Sequence, residues 1–119
     1  MADSATASLR LRDQESGQND GQWGTYTDTN FELVEEALSG VLSKSVAGSA
    51  DVTLTSTNFT SDESRHAVLQ LTGALTGNIN VIIPNVQKTY FVFNNTSGSF
   101  TLSLKTSSGT AVEIPQGSK

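Results

Sequence analysis

Apolar and polar positions change period along this chain. Leu9-Arg10-Leu11-Arg12 alternates, as a short half-exposed strand does. Three glycines between Gly17 and Gly24 then mark a tightly turning segment around Trp23. Thr29-Asn30-Phe31-Glu32 fits a capping box, with Thr29 as N-cap and Glu32 at the third helical position. Phe31, Val34, Leu38, Val41 and Leu42 recur at helical spacing, which predicts an amphipathic helix ending near Leu42.

From Val52 onward the period is two. Val52 and Leu54, then Ala67, Leu69 and Leu71, then Ile79, Val81 and Ile83 alternate with polar or outward positions. Tyr90 to Phe93 is a continuous apolar run, Phe100, Leu102 and Leu104 alternate again, and Val112 and Ile114 form a last short strand. Turn-forming residues separate these runs at roughly 8–12 residue intervals, the spacing of a sandwich, barrel or meander. The expected fold is therefore mainly β. It has an extended N-terminal arm with a Gly/Trp turn over 1–27 and one amphipathic helix over 28–43. A small antiparallel β-sandwich or barrel-like domain follows over 44–119. Tyr90 to Phe93 is apolar on both faces, so its second face needs cover from the helix or from another subunit.

Composition narrows the function. Hydrophobic residues make up 35% and charged residues 16% of the 119, both low for a globular domain. Ser, Thr, Asn and Gly fill the difference and favour strands, turns and uncharged hydrogen-bonding surfaces. There is no Cys, which excludes disulfides and thiolate sites, and a single His, which nearly excludes a conventional zinc site. No apolar run reaches the ~20 residues that span a bilayer. Met1-Ala2-Asp3-Ser4 lacks the basic and apolar regions of a secretory signal, so synthesis in a cytosol is expected. Net charge is −5, and residues 1–40 hold eight acids against Arg10 and Arg12. That balance argues against nucleic acid and suits a partly basic protein partner, although an acidic helix start accounts for half of it.

Candidate chemistry is sparse. His66 has no Gly-x-Ser-x-Gly nucleophile turn to serve, so a catalytic triad is outweighed by a surface or core-edge histidine. Asp62-Glu63, Asp51 and Glu113 read as solvated turn or strand-end charges more readily than as a glycosidase pair. Asn58, Asp62 and Glu63 lack the regular oxygen spacing of a calcium loop. Gly17 to Gly24 lacks the Gly-Lys-Ser/Thr ending of a phosphate loop. No enzyme activity, cofactor or metal is expected. Trp23 either tucks against Phe31 or Val34, or inserts into a partner as interface aromatics do.

Leu9-Arg-Leu11, Glu15-Ser-Gly17, Gly21-Gln-Trp23-Gly24 and Thr29-Asn30-Phe31-Glu32-Leu33-Val34-Glu35-Glu36-Ala37 together resemble the start of tail-fibre and related virion proteins of bacteriophages. Val81-Ile-Ile-Pro84, Tyr90-Phe-Val-Phe-Asn-Asn95 and Phe100 to Thr106 resemble the β module that follows in such proteins. There the strand after an Ile-Pro-x-Gly turn usually continues, so this chain is expected to end within or just after that module. The resemblance implies a virion structural protein, made in the host cytoplasm. It implies homo-oligomers, with a trimer favoured, and an N-terminal part that attaches to the tail or an adaptor. Leu9, Leu11, Gly17, Gly21, Trp23, Gly24, Asn30 and Phe31 are then the expected docking residues. Val34, Leu38, Val41, Tyr90, Phe91 and Phe93 are the expected oligomer interface. Two alternatives stand beside it: a head fibre or capsid decoration protein, and a carbohydrate-binding β module for host adsorption. Exposed aromatics beside acidic residues at strand tips would favour the last.

Overall fold

The computed structural model describes residues 3–118, so the first two residues of the expected arm and Lys119 lie outside it. Strands β1 (Ser4–Ala5) and β2 (Arg12–Asp13) pair antiparallel, Ser4 opposite Asp13. Helix α1 follows over Trp23–Ser39, starting earlier than the capping box suggested. Thr29 is interior to it, and its hydroxyl donates to the Thr25 carbonyl at 3.0 Å instead of capping an end. Gln22 stands at the N-cap without a side-chain bond. The helix stops at Gly40, whose backbone turns extended while its N–H still reaches the Glu36 carbonyl at 2.8 Å. A Cβ at Gly40 would lie 2.5 Å from that carbonyl oxygen, so the sharp exit into the next strand needs glycine there. Val41 and Leu42, read as the last helical turn, belong to that strand.

From Val52 onward the strand positions agree with the period-two runs, but the pairing does not; Leu9 to Leu11, read as a strand, lie in the turn between β1 and β2. β3 (Val41–Ser45), β5 (Val68–Ala74) and β7 (Phe91–Ser97) form one parallel sheet. β4 (Val52–Thr53), β6 (Ile79–Ile83) and β8 (Leu102–Thr106) form a second, also parallel. β9 (Val112–Glu113) adds antiparallel to β8, and with β1–β2 this is the antiparallel pairing among the described residues. The expected antiparallel sandwich or barrel is corrected accordingly: the described residues form a small mixed structure, one α-helix and a short 3-10 turn with strands in three sheets. Consecutive strands alternate between the two larger sheets, and each return stacks on the strand before last. The turn signals between the expected antiparallel strands are the corners of these coils. Alternation of apolar and polar residues reports which face is buried and is silent on strand direction.

The coils enclose one core. Leu69, Leu71, Val81 and Leu102 are fully buried, with Val46, Leu54, Leu75, Ile79 and Val92 around them. In-register columns run across the coils, such as Leu42, Leu69 and Val92. The neighbouring column is Lys44, Leu71 and Asn94, apolar in the middle coil and polar at the two outer ones. Stacked repeats need such polar ends, because their outer members have a neighbour on one side only. At β7 the chain closes its own edge. The Asn94 N–H donates to the Ser118 carbonyl at 3.0 Å, and the Gly117 N–H donates back to the Asn94 carbonyl at 2.7 Å. The whole is elongated, 56 × 25 × 20 Å.

Candidate interaction surfaces

The arm is part of the fold. Leu9 and Leu11 are half-buried, and the Leu9 carbonyl accepts two bonds from the buried Arg65 guanidinium. Arg10 reaches Asp62 at 2.5 Å. Arg12 is stacked between the rings of Tyr26 and Phe59, 3.9 and 4.2 Å from their centroids, and pairs with Asp3 at 3.2 Å. Backbone N–H donation from Glu15, assisted by Asn19 and Arg12, holds the Asp3 carboxyl below its usual value. The Asn30 side chain accepts from the Arg12 N–H at 3.0 Å and donates to its carbonyl at 2.9 Å. Of the expected docking set, Leu9, Leu11 and Asn30 thus bind the chain to itself.

Gly17 and Gly21 both take positive φ, as the turn reading required. Trp23 opens α1 instead of folding back on it. Its indole N–H donates to the Gln18 carbonyl at 2.7 Å, and the ring stays 45% exposed. Gly24 is exposed in the first helical turn, and Phe31 is 69% exposed.

The expected interface residues divide. Leu38 is 76% and Val41 59% exposed, and Val34 is half-buried. Phe91 is 68% exposed and lies in register with Val68 and Val41 on the outer face of the first sheet. Ser43, Gln70 and Phe93 form the next outward row, so this face carries no charge. Val68, Gln70, Phe91 and Phe93 line an apolar dimple of about 160 Å³. Tyr90 points the other way. It packs on the core, donates its hydroxyl to the Ser64 carbonyl, and carries the Lys88 ammonium 4.4 Å from its ring centroid. It is a structural residue, not an interface one. Burial pushes its phenol up to about 12.

The sequence reading missed a polar cluster. Asp62, expected to be solvated, is buried and accepts from Arg10, from the Thr57 N–H at 2.6 Å and from Ser64. Glu63 pairs with Lys44 at 2.6 Å and accepts the Thr55 N–H at 3.1 Å. The Asp62 and Glu63 oxygens are thus engaged by cations and main-chain donors. Asp51 accepts the Asn80 N–H at 2.9 Å. His66 contacts the Glu63 carbonyl through Nδ1 at 3.2 Å, and its Nε2 stands 3.9 Å from Glu36. Among the described residues no three of His, Asp and Glu converge to hold a metal ion. No described helix is long and apolar enough to cross a membrane.

Two further hollows are open. Glu32, Glu35, Glu36 and His66 line one of about 420 Å³ at the end of α1. Phe100, Glu113 and Gln116 help line a cleft of about 260 Å³ beside the C-terminal segment. Comparison with family profiles, with curated protein sequences and with solved structures returned no match.

Proposed function

We propose that the chain is a structural component of a bacteriophage particle, a tail fibre or fibre-like protein that works by association. Its N-terminal third attaches it to the tail or an adaptor, and its β body associates with further copies, a trimer being favoured. The resemblance of residues 9–37 supports the first half. One observation carries the second: the in-register outward row of Val41, Val68 and Phe91, on a sheet face without charge. Like copies brought together on that face meet no repulsion and remove two largely exposed apolar side chains per copy from water.

Light scattering of the purified chain at micromolar concentration tests this. The wild type is expected as a trimer, and Val41→Lys with Phe91→Lys as a monomer with an unchanged circular dichroism spectrum. A monomeric wild type would overturn the self-association. Attachment is tested by mass spectrometry of purified particles. Deleting the arm would disturb the β body through Arg65 and Asp62, so a surface change, Phe31→Ser, is the informative variant. Its normal incorporation would sink the attachment half.

A second reading has one specific support. Phe100 is 39% exposed and shares its cleft with Glu113, an aromatic beside a carboxylate near a strand end. A glycan array on which the wild type binds and Phe100→Ala does not would favour host-glycan recognition.

A further inference from the structure

We infer that the outward stripe of α1 is a docking site for a basic amphipathic segment of a different protein, not for a second copy of this chain. This deepens the attachment reading above and rests on it. Trp23, Phe31, Val34 and Leu38 fall within about 100° of arc at the helical repeat. The side that adjoins it past Trp23 and Val34 carries Leu33, which is buried, and Asn30, which is bonded to Arg12. The helix therefore holds the fold with its inner side, and its three most exposed apolar side chains contribute little to that core.

The charge beside the stripe selects the occupant. Asp28, Glu32 and Glu35 are exposed along its flank, and α1 contains no Lys or Arg. Helix stability does not explain them. The first turn has no acid, and Glu35 and Glu36 sit toward the C-terminal end, where the dipole disfavours negative charge. Within the hollow, the Glu36 Oε2 accepts the Ser61 hydroxyl at 2.6 Å, while its buried Oε1 has no donor among the described residues.

A second copy cannot meet this demand. Its helix would bring three flanking carboxylates against three, a repulsive pairing. Of its described cations, Arg10 and Arg65 are engaged with Asp62, Arg12 with Asp3, Lys44 with Glu63 and Lys88 with the Tyr90 ring, which leaves Lys105 on β8, too little to answer three flanking carboxylates. Nucleic acid and anionic membranes are repelled by the same carboxylates. A helix with leucines on one side and lysines beside them satisfies both the stripe and its flank, as in helix-on-groove recognition.

The test uses the full chain and three synthetic peptides: a Leu/Lys amphipathic helix, its Leu/Glu counterpart, and a Leu/Lys peptide of equal composition with its leucines spread around the helix. Trp23, the single tryptophan, reports binding by fluorescence. The first peptide is expected to bind at least about tenfold tighter than either control, and more weakly as salt rises. Phe31→Ser with Leu38→Ser, and separately Asp28→Asn with Glu32→Gln and Glu35→Gln, should each remove that preference at unchanged melting temperature. Equal binding of all three peptides, no binding of the first, or unaltered binding by either variant overturns the inference. The oligomeric mass is measured separately. A monomer that still prefers the first peptide overturns self-association alone, and a trimer without that preference overturns this inference alone.

Discussion

The Arg65 guanidinium donates to the main-chain carbonyl of Leu9, at 3.1 Å from Nε and 2.9 Å from Nη2, and so fastens the N-terminal arm to the β body. The same group donates to the carbonyls of Thr57 and Thr60 and stands 3.7 Å from Asp62. One planar fork thus supplies donors to three backbone carbonyls through part-buried bonds, a geometry suited to Arg and not to Lys. Arg65→Ala leaves those acceptors unpaired and leaves the buried Asp62 with Arg10 as its sole cation. The expected cost is about 3–5 kcal/mol, read from urea unfolding. Protease cleavage within residues 3–13 should rise with it. An unfolding midpoint equal to the wild type would show that the fork does not hold the arm.

Gly98 turns the chain from β7 into β8 with φ +98°, directly against the corner of the preceding coil. A Cβ there would lie 2.6 Å from the Leu75 carbonyl oxygen. That oxygen is backbone, and the Leu75 N–H is itself tied to the Ser97 carbonyl at 2.9 Å, so it has little room to retreat. Gly98→Ala combines a disfavoured φ with this contact, and a loss of at least about 2 kcal/mol is expected. In calorimetry this is a fall of roughly 10 °C. An unshifted melting temperature would mean that the stacked corners are not close-packed.

Strand positions were legible because burial imposes the period-two pattern on Leu69, Leu71, Ile79, Val81, Leu102 and Leu104 whatever their partners. Pairing was not, because Val41, Val68 and Phe91 meet across two intervening segments that each carry a strand of the other sheet, and no local signal encodes that register. The helix was found, and its start was misplaced by Thr29, whose hydroxyl is equally content with an i−4 carbonyl. The exposed Phe31 and Leu38 were identified as an apolar stripe, but periodicity cannot say whether such a stripe faces in or out. Leu33 and Asn30, which hold the helix to the body, lay outside that stripe. Asp62 read as a solvated turn charge because most such residues are, and nothing in the sequence marked Arg65 as its buried partner. Their burial follows from the arm lying over them, a contact across some fifty residues of sequence.

Glu63 sets an acid limit. Its hydrogen bond from Lys44, opposed by partial burial and assisted by the Thr55 N–H, holds its carboxyl below the ordinary 4.5. A lowered folded value stabilises above the unfolded one, so the contribution is complete above pH 4.5 and is lost as pH falls through the folded value. Glu63→Gln should therefore be less stable than the wild type at neutral pH, with the difference shrinking below pH 4.5. Asp3 is present in both proteins, so the difference curve isolates Glu63. Urea midpoints across this range measure it, and a gap as large in strong acid as at neutrality would exclude the Lys44 pair as its source.

Tyr90 sets the alkaline counterpart. Burial is the main force raising its phenol from 10.0 to about 12, with Arg10 opposing and Asp62 adding. Its hydroxyl donates to the Ser64 carbonyl, and a phenolate there would lose that bond and face the carbonyl oxygen instead. The neutral form is thus preferred in the folded chain. The unfolded chain ionises first, so Tyr90 stabilises fully below pH 10, and that contribution is lost as pH rises from 10 toward 12. The sequence has two tyrosines, and tyrosinate absorbance should show one of them titrating near pH 12 while the protein stays folded. Tyr90→Phe should abolish that late step, and its stability should decline less steeply above pH 10. A late step that survives in Tyr90→Phe would assign it to Tyr26 and remove Tyr90 from the buried side of the fold.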